Sequence, residues 1–244
     1  MPTRIGGALR RSVGFVSKPP VLLVHGFASS FELNWKRYGW VDLLEEEGRT
    51  VIGVDLLGHG EAPKPHDPAA YADLEARVLE ALPADGVVDA VGFSLGAITV
   101  IRAAGKAPER FGKLVFGGIG AGNMRAGNSE TVATALENGI EALADDDGEH
   151  DLARAFTQFA ANGTNDPKAL AACMRSRAPR LRAQELAKLN HECLVVLGDR
   201  DFQGPIDSII EGLPNAKSKI LRGIDHFGTP QDFGFIDATL RFLG

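Results

Sequence analysis

The densest chemical signal in the chain is Gly92-Phe93-Ser94-Leu95-Gly96. It follows a β-branched run over 87–91 and precedes a stretch, 95–104, whose apolar residues recur at helical spacing. Two glycines, each one residue removed from the serine, let the backbone turn sharply with no side chain in the way, so the hydroxyl stands exposed at the strand's C-terminal edge. A helix starting at that point leaves its first N–H groups unpaired, Leu95's among them, and these stabilise negative charge on a reacting oxygen. The pattern points to Ser94 as a nucleophile. The plainer alternative is a tight strand-to-helix turn with a capping serine.

A serine hydroxyl is too weakly acidic to attack unaided near neutral pH, and an imidazole within hydrogen-bonding reach is the natural base. The chain offers His25, His59, His66, His150, His191 and His226. His226, in Gly223-Ile224-Asp225-His226-Phe227, follows the last expected strand. A carboxylate from a nearby strand end can hold the imidazole tautomer and stabilise the imidazolium. Gly198-Asp199-Arg200-Asp201 occupies such a loop, and spacing alone leaves both aspartates open. Asp225 adjoins His226, which makes a productive bond to its own neighbour awkward, so it reads as a loop residue. Val24-His25-Gly26-Phe27 closes the first apolar run; Gly26 permits close backbone approach, and the Phe27 N–H is a candidate second donor facing the same oxygen as that of Leu95.

These residues need a scaffold that brings strand ends together. Short β-branched runs at 21–24, 51–54, 87–91, 114–116, 194–197 and 219–221 alternate with helical patterns at 40–47, 71–82, 95–104 and 233–243. That alternation predicts an α/β fold, a mostly parallel sheet with helices on both faces. Runs such as Val21-Leu22-Leu23-Val24 are apolar throughout, as strands covered on both sides are. From about 118 to 189 the strand rhythm stops, and 131–143, 152–161 and 168–177 read as successive helices. Strands resume at Leu194, so this is a helical insertion: 118–185 as a cap, with 1–117 and 186–244 as the core. The glycine-rich stretch from Gly117 to Gly122 is either a hinge for that cap or a plain loop.

Composition bounds the rest. With 26 Lys+Arg against 32 Asp+Glu the formal charge is -6, and no long block of either sign argues for nucleic acid. The run Asp145-Asp146-Asp147-Gly148-Glu149 reads as a solvated loop. Cys173 and Cys193 stand far apart, without the spacing of a zinc site or a redox pair. The segment with Arg4, Arg10 and Arg11 surrounds a stretch too short and too rich in glycine for a signal-peptide core, and no run has the length of a membrane span. A cytoplasmic protein is expected, acting on small molecules, not on nucleic acid or membrane, with homo-oligomerisation left open.

Taken in chain order, Val24-His25-Gly26-Phe27, Asp55-Leu56-Leu57-Gly58-His59-Gly60, Gly92-Phe93-Ser94-Leu95-Gly96, Gly198-Asp199-Arg200-Asp201 and Asp225-His226-Phe227 resemble the α/β-hydrolase family, in its compact esterase, lactonase and cofactor-free haloperoxidase-like branch. The resemblance implies the order serine, acid, histidine. Only His150, His191 and His226 follow Ser94; the first falls in the insertion and the second precedes the acid's strand, which leaves His226 as base. It implies Asp201, fourth in the G-x-x-D loop, as the acid, and Phe27 and Leu95 as oxyanion donors. It further implies a cap inserted after the sixth strand, antiparallel strands ahead of Val21 that are shortened or partly absent, and structural roles for His25 and His59. Two positions depart from the family pattern, Ala62 where a serine is common and Asp225 where a glycine is common; neither removes a member of the triad.

The expected activity is cleavage of a carboxylic ester or lactone through an acyl-enzyme, with no metal or organic cofactor. An apolar wall of Phe27, Trp35, Leu95, Met124, Phe156 and Phe159 is expected at the substrate, although such residues also serve plain packing. A related triad also serves C–C bond and enol-lactone hydrolysis, and a ligand receptor on the same scaffold is the alternative from another class. Epoxide and haloalkane hydrolysis fit less well, because those relatives carry aspartate at the elbow.

Overall fold

A computed structural model of the chain describes residues 18–125, 129–143, 150–163, 165–176 and 180–244. Its elements run β1 (Val21–Val24), α1 (Phe31–Asn34), α2 (Trp40–Glu46), β2 (Val51–Val54), α3 (Glu75–Glu80), β3 (Val88–Phe93), α4 (Leu95–Lys106) and β4 (Phe111–Gly117). They continue with α5 (Ser129–Asn138), α6 (His150–Ala160), α7 (Pro167–Arg175), α8 (Ala183–Leu186), β5 (Cys193–Gly198), α9 (Asp207–Gly212), β6 (Ala216–Leu221) and α10 (Phe233–Leu243).

The described strands form one parallel sheet in the order β2-β1-β3-β4-β5-β6. The chain first winds from β1 to β2 and then crosses back to β3, so the winding direction reverses between β1 and β3. A crevice above their carboxyl ends is the place where such sheets bind ligands. Side chains alternate across the pleat. Leu22, Val24, Ala90, Phe116 and Val195 meet α3, α4 and α9 on one face, through Val78, Ile98, Ile101 and Ile209. Val21, Leu23, Val91, Val115 and Val196 meet α2 and α10 on the other, through Trp40, Leu44 and Phe235. The double cover is why these strands read as continuous apolar runs. The edge strand β6 instead exposes Lys217 and Lys219, charges that discourage pairing with another chain.

At the opposite end of the sheet the buried Arg49 guanidinium donates to Asp89 at 2.6 Å, to the Pro19 carbonyl at 2.9 Å and to the Leu243 carbonyl at 2.6 Å. Asp89 also accepts the Lys113 N–H at 2.7 Å. One ion pair thereby ties the start of β1, β3, β4 and the end of α10 together.

Between β4 and β5, helices α5 to α7 bring Val132, Leu136, Phe156 and Leu170 onto Phe27 and Tyr71 of the loops that follow the strands. Asp166 caps α7 by accepting from the Lys168 and Ala169 N–H groups, with Pro167 in the first turn, where it lacks no needed donor. Polar contacts fasten the segment down: Asn165 Nδ2 donates to the Ala28 carbonyl at 3.1 Å and Ser176 Oγ to the Tyr71 carbonyl at 3.2 Å. Among the described strands this helical segment follows the fourth. The expected position after the sixth strand counts strands ahead of Val21, a reading that lies largely outside the described residues, as do the N-terminal arginines and the acidic run at 145–149.

One local reading changes, and one left open takes a definite form. The helix expected over 71–82 is divided into a 3-10 turn at Pro68–Tyr71 and α3, because Asp67 caps the turn and Tyr71 is drawn inward, its hydroxyl donating to the Pro65 carbonyl at 2.6 Å. The glycine-rich stretch after β4 is a fastened loop: Ala121 and Gly122 N–H donate to the Pro205 and Gln203 carbonyls, each at 2.8 Å. A Cβ on Gly120 would lie 2.2 Å from the Gln203 carbonyl oxygen.

Candidate active site

The serine turn is built from backbone contacts that only these residue types permit. A Cβ at Gly92 would stand 2.6 Å from Ala97 Cα, and one at Gly96 would stand 2.2 Å from the Val24 carbonyl oxygen. Both positions must be glycine for α4 to press against β3 and β1. Ser94 between them has φ 51 and ψ -114, a conformation L residues rarely adopt and one held here by its N–H to the Gly117 carbonyl at 2.8 Å. The second positive-φ residue other than glycine among the described residues is Ala28, φ 58, directly after Phe27. Local strain is thus concentrated at the two backbone turns that flank the crevice.

The acid loop is laid onto the histidine loop in the same manner. A Cβ at Gly198 would lie 2.0 Å from the Ile224 carbonyl oxygen, so the two chains touch there. Arg200 N–H donates to that carbonyl at 3.1 Å, and Asp199 Oδ1 accepts the Gly223 N–H at 2.7 Å. Asp199 therefore fixes the loop pair, while Asp201 faces the imidazole. Asp225 accepts the Gly228 N–H at 2.8 Å and shapes its own turn.

Three side chains converge. His226 Nδ1 lies 3.0 and 2.9 Å from the two oxygens of Asp201, and His226 Nε2 lies 2.9 Å from Ser94 Oγ. An ionised carboxylate only accepts, so Nδ1 carries the hydrogen and Nε2 is left to accept from the serine hydroxyl. Asp201 Oδ1 also accepts the Gln203 N–H at 2.8 Å. Ser94 and Asp201 are each 8% exposed and His226 2%, which withdraws the three groups from bulk solvent. Phe202 and Phe93 stand beside the imidazole at 4.5 and 5.0 Å between ring centroids. His150 opens α6, and His191 lies at the far end of the sheet, its Nε2 2.9 Å from the Pro108 carbonyl.

Neither the Phe27 nor the Leu95 N–H has a protein acceptor among the described residues, and both residues line the cavity that Ser94 enters. The Phe27 turn is held from behind: Asn34 Oδ1 accepts the Gly26 N–H at 2.8 Å. His25 Nδ1 donates to the Gly26 carbonyl at 2.7 Å while its Nε2 accepts the Leu56 N–H at 3.0 Å. His59 Nδ1 donates to the Leu57 carbonyl at 2.9 Å. Burial depresses the pKa of both, that of His59 from 6.5 to about 3, with the neighbouring His25 adding to the effect. These two rings are neutral struts of the loops.

Two cavities meet at Ser94. The smaller, about 100 Å³, is mostly apolar and includes Phe156, Phe159 and Phe227. The larger, about 1050 Å³, runs under the helical segment and includes Leu95, Met124 and Phe156. Trp35, expected in the apolar wall, is a correction. It is fully buried below the site, packed edge-on to Trp40 at 5.0 Å and beside Phe235, because α1 turns its far end into the α2/α10 face of the sheet. Phe202 and Phe227 were missed in the sequence; their adjacency to Asp201 and His226 is the signal that could have found them.

A family model described as alpha/beta hydrolase fold matches residues 19–220. Esterase Rv0045c of Mycobacterium tuberculosis is 34% identical over 104 residues, 41% of this chain and 33% of that protein. The chain spans about a third of the length of the curated relatives it matches. Among solved structures, the bromoperoxidase from Bacillus anthracis superposes with a TM-score of 0.71 at 24% identity, covering 93% of this chain and 92% of that one. Est816, described as an N-acyl homoserine lactone degrading enzyme, does so with a TM-score of 0.70 at 19% identity, covering 92% of each. At such identities the likeness is one of fold. No helix among the described residues is long and apolar enough to cross a membrane.

Proposed function

The chain belongs to the α/β-hydrolase fold family, and from that premise we propose that it is a serine hydrolase cleaving a carboxylic ester or lactone through an acyl-enzyme. Ser94 Oγ attacks the carbonyl carbon as His226 Nε2 takes its proton, and Asp201 stabilises the imidazolium. The Phe27 and Leu95 N–H groups receive the oxyanion; removing one such donor typically costs about 3 kcal/mol of barrier. Collapse of the intermediate expels the alcohol, which takes the proton from His226. Water then attacks the acyl-enzyme with the same base, releasing the acid and restoring Ser94.

The observation that carries this reading is the 2.9 Å contact from Ser94 Oγ to His226 Nε2, with both Asp201 oxygens within 3.0 Å of the other ring nitrogen. A receptor that merely reused the scaffold would have no need of a strained serine in that alignment. The matched esterase supports the ester reading over C–C cleavage. On this reading 118–185 is the cap roofing the site, the partner is a small molecule, and the two free, buried thiols, Cys173 and Cys193, suit the cytoplasm. Ser94→Ala is expected to abolish both p-nitrophenyl ester hydrolysis and labelling by a fluorophosphonate. An unchanged rate in that variant would refute the assignment, and a panel adding a vinylogous diketone and an enol-lactone would separate the C–C reading.

A further inference from the structure

Among the described residues that line the larger cavity, cationic side chains outnumber acidic ones. Five arginines line it, Arg102, Arg125, Arg175, Arg180 and Arg182, in a chain where acids outnumber bases. Two are engaged: Arg102 Nε donates to Glu185 at 2.9 Å, and Arg175 reaches Glu130 at 3.0 Å and Glu137 at 2.6 Å. The cavity's carboxylates are engaged as well, Glu185 by Arg102 and Glu75 by Lys106 at 3.3 Å. Arg125, Arg180 and Arg182 have no carboxylate partner among the described residues.

Their backbones are fixed side by side. Leu181, 1% exposed, anchors the 180–182 segment in the core, and its N–H donates to the Asn123 carbonyl at 3.0 Å, two residues before Arg125. Arg102 Nη2 holds the Arg180 carbonyl at 3.0 Å. Two segments carrying three exposed arginines, without a carboxylate partner among the described residues, thus border the cavity that Ser94 also lines. Guanidinium groups there recognise a carboxylate or phosphate by paired N–H donors. The smaller cavity is mostly apolar, with Arg37 also in its lining, and its volume of about 100 Å³ suits a compact group.

We propose that the substrate is an ester or lactone with an anionic group on the arm that enters the larger cavity, held by Arg125, Arg180 and Arg182, and a short apolar arm in the smaller one. This rests on the hydrolase reading and narrows its substrate class. The cavities do not assign acyl and alcohol halves to the two arms, so the test spans both. One pair carries charge in the acyl half, mono-p-nitrophenyl glutarate against p-nitrophenyl pentanoate. The other carries it in the alcohol half, 4-acetoxybenzoate or 4-acetoxyphenyl phosphate against 4-acetoxybenzamide.

In the wild-type protein kcat/KM for the anionic member of at least one pair is expected to exceed that of its neutral partner by about tenfold or more. That ratio should collapse in Arg125→Gln/Arg180→Gln/Arg182→Gln, be only partly kept in the triple lysine variant, which retains the charge but not the paired donors, and shrink as salt rises from roughly 0.05 to 0.5 M. Ready hydrolysis of the neutral esters with no anionic preference in either pair would overturn this inference alone, as would a preference untouched by the glutamine variant. Failure to hydrolyse any ester, together with absent fluorophosphonate labelling of Ser94, would overturn the hydrolase reading and this inference with it.

Discussion

Acid should weaken this fold through a residue that does no chemistry. His59 is completely buried, its Nδ1 hydrogen is committed to the Leu57 carbonyl, and its Nε2 has no hydrogen-bond partner among the described residues. A proton on Nε2 would have no acceptor in the loop and would face the ring of His25 at 5.2 Å between centroids. Burial first, and His25 second, lower its pKa from 6.5 to about 3. A base with a depressed folded pKa is protonated first in the unfolded chain. Between about 6.5 and 3 the unfolded state therefore binds more protons, and stability falls as pH falls through that window. Integrating the difference from about pH 7.5 down to pH 5, at about 1.36 kcal/mol per unit, gives roughly 2 kcal/mol lost to this one ring. His25, shifted in the same direction by burial, adds to the loss. His59→Asn keeps a donor near the Leu57 carbonyl and removes the titration. Urea unfolding at pH 7.5, 6 and 5 should give a steep decline for the wild type and a decline smaller by roughly 2 kcal/mol for the variant. Equal pH slopes in the two proteins would refute the reasoning.

Asp201→Asn puts an amide against His226 Nδ1 and can favour the wrong tautomer, so kcat for an activated ester should fall by roughly 1,000-fold or more while the melting temperature changes little. Asp199→Asn, altering only the bond to Gly223 N–H, should keep most activity; a larger loss than in Asp201→Asn would reverse the assignment of the acid. Gly96→Ala drives a Cβ into the Val24 and His25 carbonyls and should cost roughly 1–3 kcal/mol, whereas Gly105→Ala in the same helix meets nothing within 4 Å and should stabilise by about 0.5–1 kcal/mol. Calorimetry that ranked the two alanine variants the other way would contradict the packing described. Arg49→Ala strands the buried Asp89 carboxylate and should cost roughly 3–5 kcal/mol in denaturant titration, partly recovered in Arg49→Ala/Asp89→Asn.

The sequence by itself was enough for the parallel sheet, because strands covered on both faces must be apolar at every position and 21–24 or 194–197 can be little else. It was also enough for the turn at Ser94, since glycines at 92 and 96 are demanded by contacts within a few residues and with the adjacent β1. Spacing could not separate Asp199 from Asp201: both end the same strand, and only the register of that loop against Ile224 and Gly223 sends one to a backbone N–H and the other to an imidazole. Trp35 and Phe159 are both aromatic residues in helical surroundings, yet one is swallowed by the sheet's α2/α10 face and the other reaches the cavity, because a helix's rotation about its axis is set by what packs against it. The arginines at 102, 125, 175, 180 and 182 are scattered in sequence. They share a cavity only because the insertion folds back over β3 and α4, and whether each is already neutralised depends on carboxylates from other segments, a property of the assembled surface.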